Sequence, residues 1–245
     1  MEIHSLDANI CDFRFMILDL IHRIKRKLVK LRLQPIRVFC MHHVSKAYDE
    51  KQMHECDWMQ IDEFKSKVIA MQQDGVKFIS LTEAHRHIIT DKCRRARYAV
   101  LTFDDGCSTL KNIIPWLCKQ QIPVTLFVNP AYIKGEYKRE IGTCLTQEEL
   151  EELLKSGMSN IQIASHGWNH TLCTDLTLQE FENSVTSSDT YLKRFDAYIP
   201  YFAYPCGRKT QQQDGYLISK NIIPVYMDGG MNYSDTRAIH RELLS

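Results

Sequence analysis

The rhythm of hydrophobic and polar positions changes once along the chain, near Pro35. Before it, Phe13, Met16, Ile17, Leu20, Ile21, Ile24, Leu28 and Leu31 recur at three- and four-residue steps, which predicts a helix with one apolar stripe. After it, short apolar runs alternate with helical stretches. Residues 36–41 read as a buried strand, and 62–73 as a helix capped by Asp62 with Phe64, Val68 and Met71 on its apolar face. Strands are expected over 77–81, 98–103, 123–128, 160–164, 201–204 and 222–226. Helices are expected over 82–90 and over 109–121, the latter broken near Pro115. Thr146 with Glu149 and Thr177 with Glu180 have the spacing of capping boxes, so two more helices start there. Strand–helix units repeated in this way predict an α/β fold with a parallel sheet, open or closed into a barrel. Chemistry in such folds gathers where strands end and loops begin.

The chain thus divides into a basic amphipathic helical segment, 1–34, and one α/β domain, 35–245. Six Lys or Arg residues fall between Arg23 and Arg32 with no acid among them. Such a helix either packs on a domain or a partner, or lies on an anionic membrane surface through residues 13–32. Its longest apolar run, Phe15 to Leu18, is far short of the ~20 residues that a membrane span needs.

Composition adds exclusions. With 31 basic and 30 acidic residues there is no electrostatic footprint for nucleic acid. The nine cysteines are odd in number, run from Cys11 to Cys206 and include no C-x-x-C pair. Free, mostly buried thiols suit this pattern better than a disulfide framework. At the N-terminus the basic residues follow the apolar stretch, unlike a secretory signal. The expected location is the cytoplasm, with peripheral contact at the inner face of the membrane as its variant. Composition is silent on oligomeric state.

Three strand ends carry candidate chemistry. Leu101-Thr102-Phe103 runs into Asp104-Asp105-Gly106; neighbouring residues at a strand end point to different sides, so two adjacent acids can take different tasks. Alone, Asp-Asp-Gly also suits an ordinary exposed turn. Ile163-Ala164-Ser165 leads into His166-Gly167-Trp168-Asn169-His170, two imidazoles four apart. With one Asp from the first motif they would complete the three protein ligands that a catalytic zinc uses. Tyr201-Phe202-Ala203-Tyr204-Pro205-Cys206-Gly207 ends an aromatic strand in a rigid turn, where exposed N–H groups could hold an oxyanion.

In this order and spacing, TFDDG, SHGWNH and FAYPCG resemble the first three motifs of the NodB-homology polysaccharide deacetylases, carbohydrate esterase family 4, from about Pro35 to the C-terminus. The resemblance implies a distorted (β/α) barrel with fewer than eight complete strands. It implies Asp104 as general base, and Asp105, His166 and His170 as ligands of a divalent ion, zinc or similar. Cys206 would donate its backbone N–H to the oxyanion, with Tyr204 and Trp168 beside the substrate. It also implies removal of an N-acetyl group from an amino sugar of a cell-surface polysaccharide or its lipid-linked precursor. A deformylase or other small-amide hydrolase of the same fold, or a catalytically weak carbohydrate-binding relative, are the alternatives.

Two positions depart from the family. Ala203 stands where many relatives carry the Arg that orients the base, leaving Arg208, Arg237 and Arg241 as substitutes that the sequence does not rank. The late motif with an acid histidine is not recognisable, although His240 lies in the tail. An acid is still needed, because an unprotonated sugar amine leaves poorly. Val38-Phe39-Cys40-Met41-His42-His43 resembles the Tyr-His motif of the poly-N-acetylglucosamine deacetylase branch, with His42 at the acid position and His43 on the other face.

Overall fold

A computed structural model describes residues 33–244 apart from 52, 55–56, 91–93, 141, 158–159 and 235–236. The helix expected before Pro35, and the choice between packing and membrane contact, lie outside the described residues. Within them, no helix is long and apolar enough to cross a membrane.

Seven parallel strands close a ring: β1 (Ile36–Met41), β5 (Arg97–Phe103), β6 (Val124–Val128), β7 (Ile161–Ser165), β8 (Tyr198–Ala203), β9 (Ile223–Met227) and β10 (Ile239–Leu243). Closure comes from β1, which pairs with β5 on one edge and β10 on the other. The open-or-closed alternative is thereby settled in favour of a barrel, whose seven ring strands each have two strand neighbours. β4 (Val76–Phe78) pairs with the first half of β5, while β6 takes the second half. A small separate pair, β2 (His43–Ser45) and β3 (Trp58–Gln60), follows β1.

Helices α1 (Ile61–Gln73), α2 (Leu81–Thr90), α3 (Ile114–Lys119), α4 (Pro130–Ile133), α5 (Gln147–Gly157), α6 (Leu178–Leu192) and α7 (Gln211–Ser219) make the connections. Both expected capping boxes form: Thr146 and Glu149 exchange hydrogen bonds before α5, and Thr177 and Glu180 do so before α6. The cap of α1 is a correction. It is Gln60, whose side-chain oxygen accepts from the N–H groups of Asp62 and Glu63, so Asp62 lies inside the first turn. The break in 109–121 is real, but it falls at Ile113, between a 3-10 turn and α3; Pro115 sits in the first turn of α3, where its missing N–H costs nothing.

Strand parity divides the core. Phe39, Met41, Leu101, Phe103, Leu126, Val128 and Ile163 face outward and pack with Phe64 and Val68 of α1 and Leu117 of α3. Val38, Val100, Phe127, Ala164, Tyr201, Ala203, Val225 and Ile239 form the inner cluster, closed by Leu81, Ala84 and Ile88 of α2. Continuing the inner parity toward the C-terminal end of the strands gives Cys40, His42, Asp104, His166 and Arg241. That end of the barrel is polar, and the site lies there.

Candidate active site

Asp104 and Asp105 leave β5 in different directions, as neighbouring residues at a strand end should. Asp104 points into the barrel mouth, 3% exposed, its N–H donating to the Met41 carbonyl. Its carboxylate meets a cation in bidentate geometry: Arg241 Nη1 donates to Oδ1 at 2.7 Å and Nη2 to Oδ2 at 2.8 Å. Burial pushes the Asp104 carboxyl up, but the Arg241 charge, His166 and the Arg241 hydrogen bonds outweigh it and hold it at about 2. Arg241 is itself 1% exposed, lies 5.0 Å from the centre of the Phe127 ring and also donates to Thr102. Of the three arginines that could stand in for the one absent at Ala203, Arg241 is therefore the one that reaches Asp104. Arg208 and Arg237 are exposed, and Arg237 lines a separate cleft with His85 and Ile89.

Asp105 occupies a left-handed backbone position, φ 67°, as do His170 at 60° and Cys206 at 53°. Non-glycine residues adopt this region rarely, and here the three sit one in each of the motif loops, a concentration of strain typical of functional sites. Gly106 after the aspartates has φ 62°, and a side chain there would press on Val128 Cγ1 at 3.1 Å. Asp105 Oδ1 lies 3.2 Å from His170 Nε2 and 3.5 Å from His166 Nε2. Burial would raise the Asp105 carboxyl, but His170, His166 and Arg139 hold it well below the usual range.

His166 is almost wholly buried. Its Nδ1–H donates to the Ala203 carbonyl at 2.8 Å, which leaves the lone pair on Nε2 facing Asp105. Burial lowers its pKa to about 4, so the ring is neutral near pH 7. Asn129, at the end of β6, donates to the carbonyls of His166 and Gly167 and fixes this loop. The residues present fit a divalent ion. Asp105 Oδ1 is buried without a hydrogen-bond partner, and the ligating atoms of Asp105, His166 and His170 lie within 4.8 Å of one another. A tetrahedral ion with bonds of about 2.0–2.1 Å separates its ligand atoms by about 3.3 Å, close to the two Asp105–His distances.

His42 continues the inner face of β1 and lies with Cys40 and Asp104 in one group of ligating atoms, again within 4.8 Å. Asp57 Oδ1 is 3.8 Å from its Nδ1. His43 points the other way and is fully engaged, Nδ1 with Thr109 at 3.1 Å and Nε2 with the Cys107 thiol at 3.3 Å. His240 alternates with Arg241 on β10 and so faces out of the barrel, paired with Asp228 at 2.8 Å. Of the candidates His42, His43 and His240, the one that shares the mouth with Asp104 is His42.

The third motif is divided. Cys206 is exposed at the rim, where burial and then Asp105 push its thiol up. Tyr204, expected beside the substrate, is placed elsewhere: it has the outward parity of Phe202, is 1% exposed between Phe181 and Phe202, and its hydroxyl donates to Asp214 at 2.9 Å. Trp168 is half-buried in the loop between the two site histidines, with Lys134 5.2 Å above its ring. Sequence reasoning did not find Arg139, which donates to Asp105 Oδ2 at 2.7 Å from a polar loop without periodicity. Nor did it find Asn129, although a polar residue directly after a strand was a usable signal.

A barrel with two adjacent carboxylates and two histidines at its C-terminal mouth defines a class, and the family comparison agrees: residues 91–220 match the model for polysaccharide deacetylases, and the chain belongs to that family. The match ends before Arg241 and begins after His42. Among curated proteins the chain is similar to YxkH of Bacillus subtilis (strain 168), whose own name assigns it provisionally to the polysaccharide deacetylases. The two are 25% identical over 193 residues, which is 75% of this chain and 64% of YxkH, so the chain spans less than two thirds of that relative. Solved structures with the same fold include IcaB from Ammonifex degensii, at TM-score 0.70 and 22% identity over 86% of this chain and 92% of that one. Another is the Streptococcus pyogenes deacetylase PplD, solved with acetate, at TM-score 0.71 and 19% identity over 86% and 93%.

Proposed function

We propose that the protein is a metal-dependent hydrolase that removes the N-acetyl group of an amino sugar in a polysaccharide or its lipid-linked precursor. The observation that carries this reading is the division of labour between two adjacent acids. Asp105 faces two imidazoles, while Asp104 is locked by Arg241 a few ångströms away. Family membership supports the acetyl group over formyl.

In this reading Asp105, His166 and His170 hold the ion, zinc or a similar divalent metal. When bound, the ion supplies Lewis acidity to the acyl oxygen and a lowered pKa to water. Asp104, kept ionised and oriented by Arg241, takes the proton of the attacking water at one carboxylate oxygen, a step worth ~10²–10⁴-fold. His42, past the end of the adjoining strand β1, protonates the departing amine, with Asp57 behind it. The Cys206 N–H stands at the rim for the oxyanion. Trp168, in the loop that carries His166 and His170, flanks the substrate. An acid histidine at the N-terminal side suits the poly-N-acetylglucosamine deacetylase-like branch.

The test is to strip the protein with a chelator, reload it with zinc, and assay acetate and formate release from N-acyl amino sugars, free and lipid-linked. Acetate release that needs the metal is expected. Formate release alone would move the protein to the deformylases. Binding of sugars with neither product would make it a carbohydrate-binding relative.

A further inference from the structure

Among the described residues a second group with metal-ligating spacing adjoins the first: Cys40, His42 and Asp104, their ligating atoms within 4.8 Å of one another. Strand geometry builds it. Cys40 and His42 are two apart, one on β1 and one just past its end, and so share the inner face. The register Met41 with Phe103 sets His42 opposite Asp104 on the adjoining strand.

We propose that Cys40, His42 and Asp104 form a second, thiolate-containing site for a soft or borderline divalent ion such as zinc, cadmium or cobalt(II). The Cys40 thiol donates to Asp104 Oδ2 at 3.4 Å. At bond lengths of about 2.3 Å to sulfur and 2.1 Å to oxygen, a tetrahedral ion holds these two atoms about 3.6 Å apart. The ion therefore replaces the shared thiol proton, which is released as it binds. His42 completes the set from the rim. Asp57, 3.8 Å from its Nδ1, stands where a carboxylate behind a ligating imidazole turns the other nitrogen toward the metal. A cavity of about 160 Å³ whose lining includes Cys40, His42, Asp57 and Trp58 gives an approach to the two β1-side ligands.

The two sites differ in softness. The first offers one carboxylate and two imidazoles; the second adds sulfur, so it discriminates against magnesium and calcium. Arg241 and an ion at the first site both place positive charge near Asp104, so the second site fills after the first. Its occupation ties up the base and the acid together, and excess zinc then inhibits turnover. That consequence rests on the roles proposed for Asp104 and His42, whereas the binding does not.

Cobalt(II) titration of the metal-free protein separates the two. The expected result is two equivalents, the first without a thiolate charge-transfer band in the near ultraviolet and the second with one. Cys40→Ser, which keeps a hydrogen-bond donor for Asp104, should retain the first equivalent and lose both the second and the band. Retention of the first equivalent also shows that the variant is folded. Saturation of the wild type at one equivalent, or a band that persists in Cys40→Ser, overturns the second site. If both equivalents bind as described but excess zinc leaves turnover unchanged, the second site stands and the roles of Asp104 and His42 fall.

Discussion

Replacing Arg241 by Met tests the proposed base most directly. Asp104 is fully enclosed and yet held at about 2 against an ordinary 3.8. That depression against burial favours the ionised form by an amount on the order of 2 kcal/mol. Because the folded-state pKa is depressed, this contribution is present above about pH 4 and is lost as pH falls through about 2. Without Arg241 the burial that pushes the carboxyl up is opposed only by the histidines, so Asp104 rises toward the assay range. A buried ion pair broken at one partner costs about 3–5 kcal/mol. At about 2–4 °C per kcal/mol for a chain of this size, Tm falls by about 6–20 °C. Arg241→Lys keeps the charge without the fork and should fall between the two. The measurements are Tm, bound metal, and kcat/KM across pH. Occupancy of the Asp105, His166 and His170 site should stay at the wild-type level, because Arg241 touches none of these three ligands, while the acidic limb moves to higher pH. A kcat/KM within about twofold of wild type at pH 7, with the acidic limb unmoved, would refute the pairing of base and guanidinium as a functional one.

Asp105→Ala, His166→Ala and His170→Ala should each lose bound metal and nearly all turnover in a folded protein; full metal content in two of the three would sink the ligand set. Asp104→Asn should keep the ion held by Asp105, His166 and His170 and lose about 10²-fold or more in turnover, and loss of that ion with turnover would mean that the two acids are assigned in reverse. His42→Ala should keep the ion held by Asp105, His166 and His170 and harm N-acetyl sugars far more than activated acetate esters, whose leaving group departs unprotonated; equal loss on both would make His42 structural. Tyr204→Phe should lower stability by about 1 kcal/mol through its lost bond to Asp214 and leave metal content and KM unchanged, so a raised KM would return Tyr204 to the substrate.

Periodicity alone located the six ring strands that precede β10, since a buried strand in a parallel barrel is a short apolar run bounded by turns; the short β2 and β3 gave no such run. Capping chemistry is local, so Thr146 and Thr177 announced their helices correctly. The Asp-Asp and His-x-x-x-His groups were legible for the same reason: each is contiguous, and each follows directly from its strand. Parity is where local reading stopped. The alternation along β8 turns Ala203 inward and Tyr204 outward to Asp214, and a motif read as a string does not say which. On β10 the same alternation sends Arg241 into the barrel and His240 out of it, which the weakly patterned tail did not reveal. Arg139 gave no sign at all, because its loop has no period and its partner is 34 residues away. The largest of these decisions spans the chain. Arg241 and Asp104 are 137 residues apart, and only closure of the ring through β1, paired to β5 and β10 at once, brings the guanidinium of the last strand beside the carboxylate of the second. Side-chain type was written residue by residue, but which cation faces which acid is a property of the closed barrel.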